Sequence, residues 1–321
     1  MDHLLKCYLD QFKSSPRNTL HDRRNRRSMV AYVSTLIEGY IRGMECDPQM
    51  AVRDAIIAII RYHEENRADN GSVCMMGRFH NILYVAVKLC HDWQLKDTGT
   101  VVALLESIYA CESTFERIFI GAIFGNRAPY YIAGWKSDFD SQEENVRAVV
   151  YFIDHATTGG LEFACGRNKE LTRFVDVPMD SCGGDSPTPA KIALQLGLPD
   201  KLHILLRYGA CLDDNVVEYL LKRLMEFCHV YPYNIVACLQ LVLRVIPRIE
   251  GEKSVIFDNY PDLVEDALIP PTRCGVQVPE LKHLSRCCIR KRLWENYQLP
   301  NGIGTLILPD SLRRYLDIMC D

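Results

Sequence analysis

Apolar positions recur along most of the chain at the three- and four-residue spacing of an amphipathic helix, and alternating strand patterns are scarce. This periodicity predicts helices over 28–45, 50–66, 79–91, 99–111, 114–124, 142–156, 189–196, 200–208, 214–229, 233–247, 281–295 and 310–319, with Gly, Pro, Asn and Asp between them. The expected fold is all-α, built from helix pairs stacked in an array. The longest apolar run, 55–60, is a buried helix or strand segment, far below the ~18–20 residues of a membrane span. The punctuation changes after about 245. Pro247, Pro261, Pro270, Pro271 and Pro279 break the chain into short pieces before two last helices. Four regions follow: a helical 1–75, a repeat body over 76–248, a proline-punctuated linker over 249–280 and a C-terminal module over 281–321.

Composition narrows the reading. At 321 residues the chain has room for about two domains. A content of 48% hydrophobic and 24% charged residues is that of a globular protein, which excludes a largely disordered chain or a simple coiled coil. The formal charge of −4 gives no global basic excess to attract nucleic acid. The 14 cysteines are unusual. The first residues, MDHLLKCYLDQFKSS, hold no uninterrupted apolar core of a signal peptide, so a reducing compartment and free thiols are expected. No C-x-x-C pair occurs, and Cys90-His91 and Cys228-His229 are adjacent pairs whose side chains diverge. Zinc is therefore not expected, and most cysteines read as small core hydrophobes, with Cys90, Cys211, Cys228 and Cys238 beside apolar stretches.

One repeat stands out, over 185–212. Its run Thr188-Pro189-Ala190-Lys191-Ile192-Ala193 resembles the T-P-L-H-x-A signature of the ankyrin repeat. Thr188 is placed to cap a first helix, and Pro189 sits in the first turn, where no N–H is needed. Leu202, Leu205 and Leu206 form the apolar stripe of a second helix, and Gly209 ends it. Degenerate relatives of the pattern lie at 81–86 with 101–105, and at 146–153. Their starts are farther apart than the ankyrin period of about 33, so either insertions separate the repeats or only part of the body is ankyrin-like. The glycine-rich stretch 155–187 reads as a long loop, either a binding loop or a tolerated insertion.

The C-terminal strings Glu280-Leu281-Lys282-His283-Leu284-Ser285-Arg286-Cys287-Cys288-Ile289-Arg290-Lys291-Arg292-Leu293-Trp294 and Leu306-Ile307-Leu308-Pro309-Asp310-Ser311-Leu312-Arg313-Arg314-Tyr315-Leu316-Asp317-Ile318 resemble a suppressor-of-cytokine-signalling (SOCS) box. With the repeat upstream and the runs 269–273 and 299–303, the chain resembles the ankyrin repeat and SOCS box family. That resemblance implies a module recruiting elongin B/C and cullin-5. The elongin motif is a leucine, a cysteine four residues on and an aliphatic residue four further. It falls on Leu281, Ser285 and Ile289, with Leu284 on the same stretch. A rival register on Leu284 and Cys288 ends on Arg292, where the aliphatic residue is missing. Leu281, Leu284, Ser285 and Cys288 share one helical face, which suits a helix-in-groove contact. A serine in place of the cysteine removes a small apolar plug, a weakening of about 1 kcal/mol. The cullin motif falls on Leu306, Ile307, Leu308 and Pro309, with Ile307 where the family has proline. Asp310 or Ser311 is expected to cap the helix that follows, and Leu312, Tyr315, Leu316 and Met319 are spaced along one side of it.

By this resemblance the chain is a substrate-recognition subunit of an elongin B/C–cullin-5 ubiquitin ligase, bringing a protein substrate to the conjugating enzyme. An ankyrin-type scaffold without ligase function is the alternative. Neither is an enzyme: no catalytic residue, metal site or cofactor is expected, and neither nucleic acid nor membrane is an expected partner. The cytoplasm is the expected location, with the nucleus as a second compartment. Other strings lead nowhere. Cys182-Gly183-Gly184-Asp185-Ser186 resembles a serine-protease nucleophile loop, but Pro187 follows where glycine is needed and the chain is helical. His63-Glu64-Glu65 lacks a second histidine at zincin spacing. The basic run His21-Asp22-Arg23-Arg24-Asn25-Arg26-Arg27 is either a nuclear signal, a patch for an acidic partner, or a solvated linker or helix start.

Overall fold

The computed structural model describes residues 1–14, 22–70, 74, 77–125, 137–166, 170–179, 187–213, 215–227, 230–249, 260–274 and 277–321. The chain divides into two compact units, Met1–Ser186 and Pro187–Asp321. The division falls inside the region read from sequence as one repeat body. The last helix pairs and the C-terminal module share the second unit.

The first unit is built from α1 (Asp2–Asp10), α2 (Arg23–Met44), α3 (Pro48–Asn66), α4 (Ile82–Asp92), α5 (Thr98–Glu112), α6 (Glu116–Ile123) and α7 (Gln142–Thr158). Short polar residues begin α2, α3, α5 and α7 by accepting orphan N–H groups. Asp22 accepts from Arg24, Asp97 from Thr100 and Ser141 from Glu144. α1 packs on α3, α2 and α3 on α4, α3 and α4 on α5, and α7 on both α5 and α6. The predicted buried segment 55–60 lies in α3, where Ala55, Ile56, Ala58, Ile59 and Ile60 are core and Ile57 faces outward. No described helix is long and apolar enough to cross a membrane.

The stretch 155–187 is not a long loop in its described part. α7 continues to Thr158, and Glu162–Cys165 pairs antiparallel with Glu170–Arg173, Phe163 lying opposite Thr172. A 3-10 turn at Phe174–Asp176 follows. The hairpin is held by aromatic contact: Phe163 stands 4.3 Å from Tyr109 and 4.9 Å from Phe115, and Phe174 lies 4.5 Å from Phe115. Four-residue strands are too short for a period-two pattern to stand out. Cys182, Ser186 and the rest of 180–186 lie outside the described residues.

The second unit opens on the predicted repeat. Thr188 Oγ1 accepts from the Lys191 N–H at 3.3 Å and starts α8 (Pro189–Gln195); α9 (Pro199–Arg207) ends at Gly209, whose φ is +79°. Leu202, Leu205 and Leu206 are buried as expected. α10 (Val216–Met225) packs on α11 (Tyr233–Val245), and α11 packs back on α9. The proline-punctuated linker is anchored in its described part. It contains α12 (Pro261–Glu265), buries Leu263, Ile269 and Cys274, and pairs Ile249 N–H with the Arg273 carbonyl at 2.9 Å.

One sequence expectation is narrowed and one changes. The basic run opens α2, as the helix-start reading has it, but it is solvated only in part, at Arg24 and Asn25. Arg26 is buried and its Nε donates to Asp138 Oδ2 at 2.8 Å, Arg23 donates to the Phe139 carbonyl at 2.8 Å, and Arg27 pairs with Asp140. The cysteines are not mainly core: of the 12 described, only Cys90, Cys238 and Cys274 are buried, and Cys211 is exposed. Cys228 lies outside the described residues.

The Arg26–Asp138 pair is buried on both sides, so removing the carboxylate takes a close opposite charge from a buried guanidinium. Asp138→Ala should lower stability by about 3–5 kcal/mol, read as a fall in the denaturant midpoint. Asp140→Ala, at an exposed pair, should change it by less than about 1 kcal/mol.

Candidate functional site

The C-terminal module is built on α13 (Leu281–Glu295), α14 (Asn301–Thr305) and α15 (Asp310–Leu316). α13 is amphipathic in an inverted sense. Its buried stripe is His283, Arg286, Arg290 and Leu293, whereas Leu281, Leu284 and Cys288 face solvent. Leu281 is 79% exposed. Three polar groups on the inner side make this arrangement possible.

Arg290 sits among main-chain acceptors at helix C-termini. Its Nη1 donates to the carbonyl of Leu316, the last residue of α15, at 2.9 Å, and its Nη2 to the Leu206 carbonyl in the last turn of α9 at 2.5 Å. Each helix C-terminus carries about half a negative charge, so two such ends suit one guanidinium. Burial pushes Arg290 down to about 10, with Asp317 acting in the opposite direction, and it stays protonated at neutral pH. His283 Nε2 donates to the Ile246 carbonyl at the end of α11 (2.8 Å), and its Nδ1 accepts from Arg286 Nη2 at 3.1 Å. The Arg286 guanidinium lies 4.1 Å from the Tyr315 ring centroid, and Lys282 Nζ lies 4.0 Å from it. Arg207 holds Asp317 through two hydrogen bonds of 3.0 and 2.6 Å, and Arg244 holds Asp321 through two of 2.8 and 2.7 Å.

An apolar cluster completes the module. Leu293, Leu299, Ile303 and Leu316 are buried together, with Ile289, Trp294, Leu306 and Leu308 packed against them. Gly209 allows Trp294 to approach the end of α9, because a Cβ there would collide with the indole.

The predicted site residues therefore divide by direction. Leu281, Leu284, Ile307, Pro309 and Leu312 face outward, Ile307 completely, and Ser285 is half-buried. Ile289, Leu306, Leu308, Tyr315 and Leu316 face the module's own core. Neither Asp310 nor Ser311 caps α15. Pro309 occupies the cap position, and Asp310 instead pairs with Arg313 at 3.3 Å. The sequence reading gave no role to Arg290. Its signal was a cation one turn after Arg286, on the side of the helix away from the leucines.

Residues 277–317 match the SOCS box family. The chain carries a SOCS box. Over 152 residues it is 31% identical to ankyrin repeat and SOCS box protein 17 of Mus musculus, a stretch covering 41% of this chain and 49% of that relative. The match thus spans about half the length of the curated relative. No solved structure matches the chain. The SOCS box match starts at 277 rather than 281, taking in the exposed Val278. The second unit also contains a cavity of about 250 Å³ beside the best repeat, lined in part by Thr188, Lys191, Leu194, Asp213 and Tyr219. Lys191 and Asp213 neutralise each other there at 2.9 Å.

Gly209→Ala forces both a left-handed alanine and a displaced Trp294. It should destabilise the protein by about 2 kcal/mol or more and shift tryptophan emission to the red. His283 gives a pH dependence. Burial holds its imidazole below the ordinary histidine value, so the unfolded chain takes up the proton first as pH falls. Its contribution is complete above about pH 6.5 and is lost as pH drops through the lower folded value. Thermal melts should show His283→Ala less stable than wild type at pH 7.5, with the gap narrowing at pH 5.5.

Proposed function

We propose that the chain is the substrate-recognition subunit of an elongin B/C–cullin-5 RING ubiquitin ligase. The inverted helix α13 carries this reading. A helix that buries arginines and a histidine while exposing Leu281 and Leu284 leaves apolar surface in water, and only a partner groove recovers that surface. The SOCS box match over 277–317 and the similarity to an ankyrin repeat and SOCS box protein support the same reading. In this scheme elongin C receives Leu281, Leu284 and Ser285, and cullin-5 meets Ile307, Pro309 and Leu312. Ile289, Leu306, Leu308, Tyr315 and Leu316 set the positions of those contacts from the core side. The receptor is an adaptor and not an enzyme. It acts by raising the effective concentration of a protein substrate, held by the ankyrin-like helix pairs, near the conjugating enzyme. We assign it to the cytoplasm, where its cysteines remain thiols.

Point variants test this better than truncation, since deleting 281–321 would strip the cover from Leu206 and Gly209. The full chain co-expressed with elongin B/C should co-purify with elongin C, and Leu281→Asp with Leu284→Asp should abolish capture while leaving the thermal melt near wild type. Ser285→Cys should tighten elongin binding by roughly fivefold, the equivalent of about 1 kcal/mol. Ile307→Asp should lose cullin-5 and retain elongin C. Elongin C capture that is absent from wild type, or undiminished in the double aspartate variant, would overturn the assignment and leave the scaffold reading.

A further inference from the structure

Four metal-ligating side chains converge in the first unit, far from the SOCS box in sequence. They are His63 in the last turn of α3, Cys74 in the α3–α4 connection, His80 just before α4, and Cys111 in the last turn of α5. One ligand atom from each lies within 4.8 Å of the others. His63 Nε2 is 3.3 Å from Cys74 Sγ and 3.6 Å from Cys111 Sγ, and the two sulfurs are 3.5 Å apart. With Zn–S near 2.3 Å and Zn–N near 2.0 Å, the edges of a tetrahedral S₂N₂ site are about 3.3–3.8 Å. Three edges already have that length.

We propose that His63, Cys74, His80 and Cys111 bind one structural zinc ion. Both histidine side chains are completely buried or nearly so; His63 presents Nε2 to the two sulfurs, and His80 holds a buried Nδ1 without a hydrogen-bond partner. An orphaned buried nitrogen such as the His80 Nδ1 is expected where a ligand is to be bound. His80 also has the outer support typical of a zinc-bound imidazole. Its Nε2 donates to Glu112 Oε1 at 2.6 Å, which leaves Nδ1 to face the metal. Glu112 is in turn fixed by Tyr84 Oη at 2.6 Å and by Arg117 Nε at 3.2 Å. Charge favours the same metal. Two thiolates and two neutral imidazoles around Zn²⁺ sum to zero, which suits a mostly buried site, and mixed sulfur and imidazole donors select zinc over magnesium or calcium. Four protein ligands close the tetrahedron, so no position is left for water or substrate and the role is structural. The ion would tie the C-terminal turns of α3 and α5 to the start of α4. A second cluster, His91, Asp92 and Glu144, does not qualify: the Lys88 ammonium already sits at 2.5 Å from Asp92 and 3.0 Å from Glu144.

The test uses the full chain purified without chelators. Elemental analysis should find about one zinc per chain, and native mass spectrometry should show the matching mass with Cys74 and Cys111 both unoxidised. Cys74→Ser combined with Cys111→Ser should lose the metal, while Cys7→Ser, an exposed cysteine outside the cluster, should keep it. Because the double variant could fail to fold, wild type is also treated with 1,10-phenanthroline. Its Tm should fall by about 5 °C or more and return on adding Zn²⁺. Co²⁺ in place of zinc should give the visible bands and thiolate charge-transfer absorption of a tetrahedral S₂N₂ site. Wild type with no bound zinc that takes up neither Zn²⁺ nor Co²⁺, a Cys74–Cys111 disulfide in the reduced-buffer preparation, or full zinc retention in the double serine variant would each overturn the proposal.

Discussion

The Arg290 guanidinium has main-chain carbonyls for partners, and much of the second unit depends on that choice. A buried cation needs negative charge nearby, and a carboxylate is the usual source. Here the direct partners are carbonyls at the ends of helices α9 and α15, and the Asp317 carboxylate adds its charge without a hydrogen bond to the guanidinium. One side chain thus meets terminal carbonyls of both helices and joins the last turn of the best repeat to the last helix of the C-terminal module. His283 repeats the device at α11, where its Nε2–H meets the Ile246 carbonyl. Helix C-termini are fixed features of a helix-pair array, so a basic helix laid across them docks through backbone geometry. Side chains on the helix pairs add to this, Arg207 holding Asp317 and Arg244 holding Asp321.

That docking mode dictates the outward face. Once the polar stripe of α13 is turned inward, the leucines of its first turn have only one direction left. Leu281 and Leu284 are exposed because Arg286, Arg290 and His283 are not. The alternation over 306–308 follows the same logic: Leu306 and Leu308 fill the small core with Ile303 and Leu316, and the residue between them, Ile307, points outward. Residues inferred to serve partner binding therefore serve it in two ways. Some would touch the partner, and the rest hold those in place.

Helix existence and order were legible because twelve segments carry long apolar stripes of period 3.6. The structure moves their ends by a few residues and leaves their identity unchanged. Elements too short to show a period were not legible: α1, with only Leu5 and Leu9 buried; α14, five residues with two glycines; and the 162–173 hairpin, recognised only through its contacts with Tyr109 and Phe115. The SOCS box was legible from the order of its motifs, but the direction of each side chain was not. A leucine reads as core in any periodicity argument, and an arginine reads as surface. At α13 both rules reverse, because the arginines find their acceptors far off in the chain: for Arg290, the Leu206 carbonyl 84 residues earlier and the Leu316 carbonyl 26 residues later.

The same limit explains the cysteines. Metal-ligand motifs are recognised when the ligands are close in sequence, since a short loop closes cheaply around the ion. His63 and Cys74 are 11 residues apart, and Cys74 and Cys111 are 37 apart. Nothing at those separations marks a site. Three helix ends bring them together, as three helix ends bring partners to Arg290 and His283. In a stacked helical array the helix termini line up along the edges, so side chains remote in sequence meet there. Arg26, buried against Asp138, and Glu112, buried between His80 and Arg117, show the same pattern in the first unit. Polar residues that look like surface in such a chain are best sorted by whether they fall within a turn of a helix end.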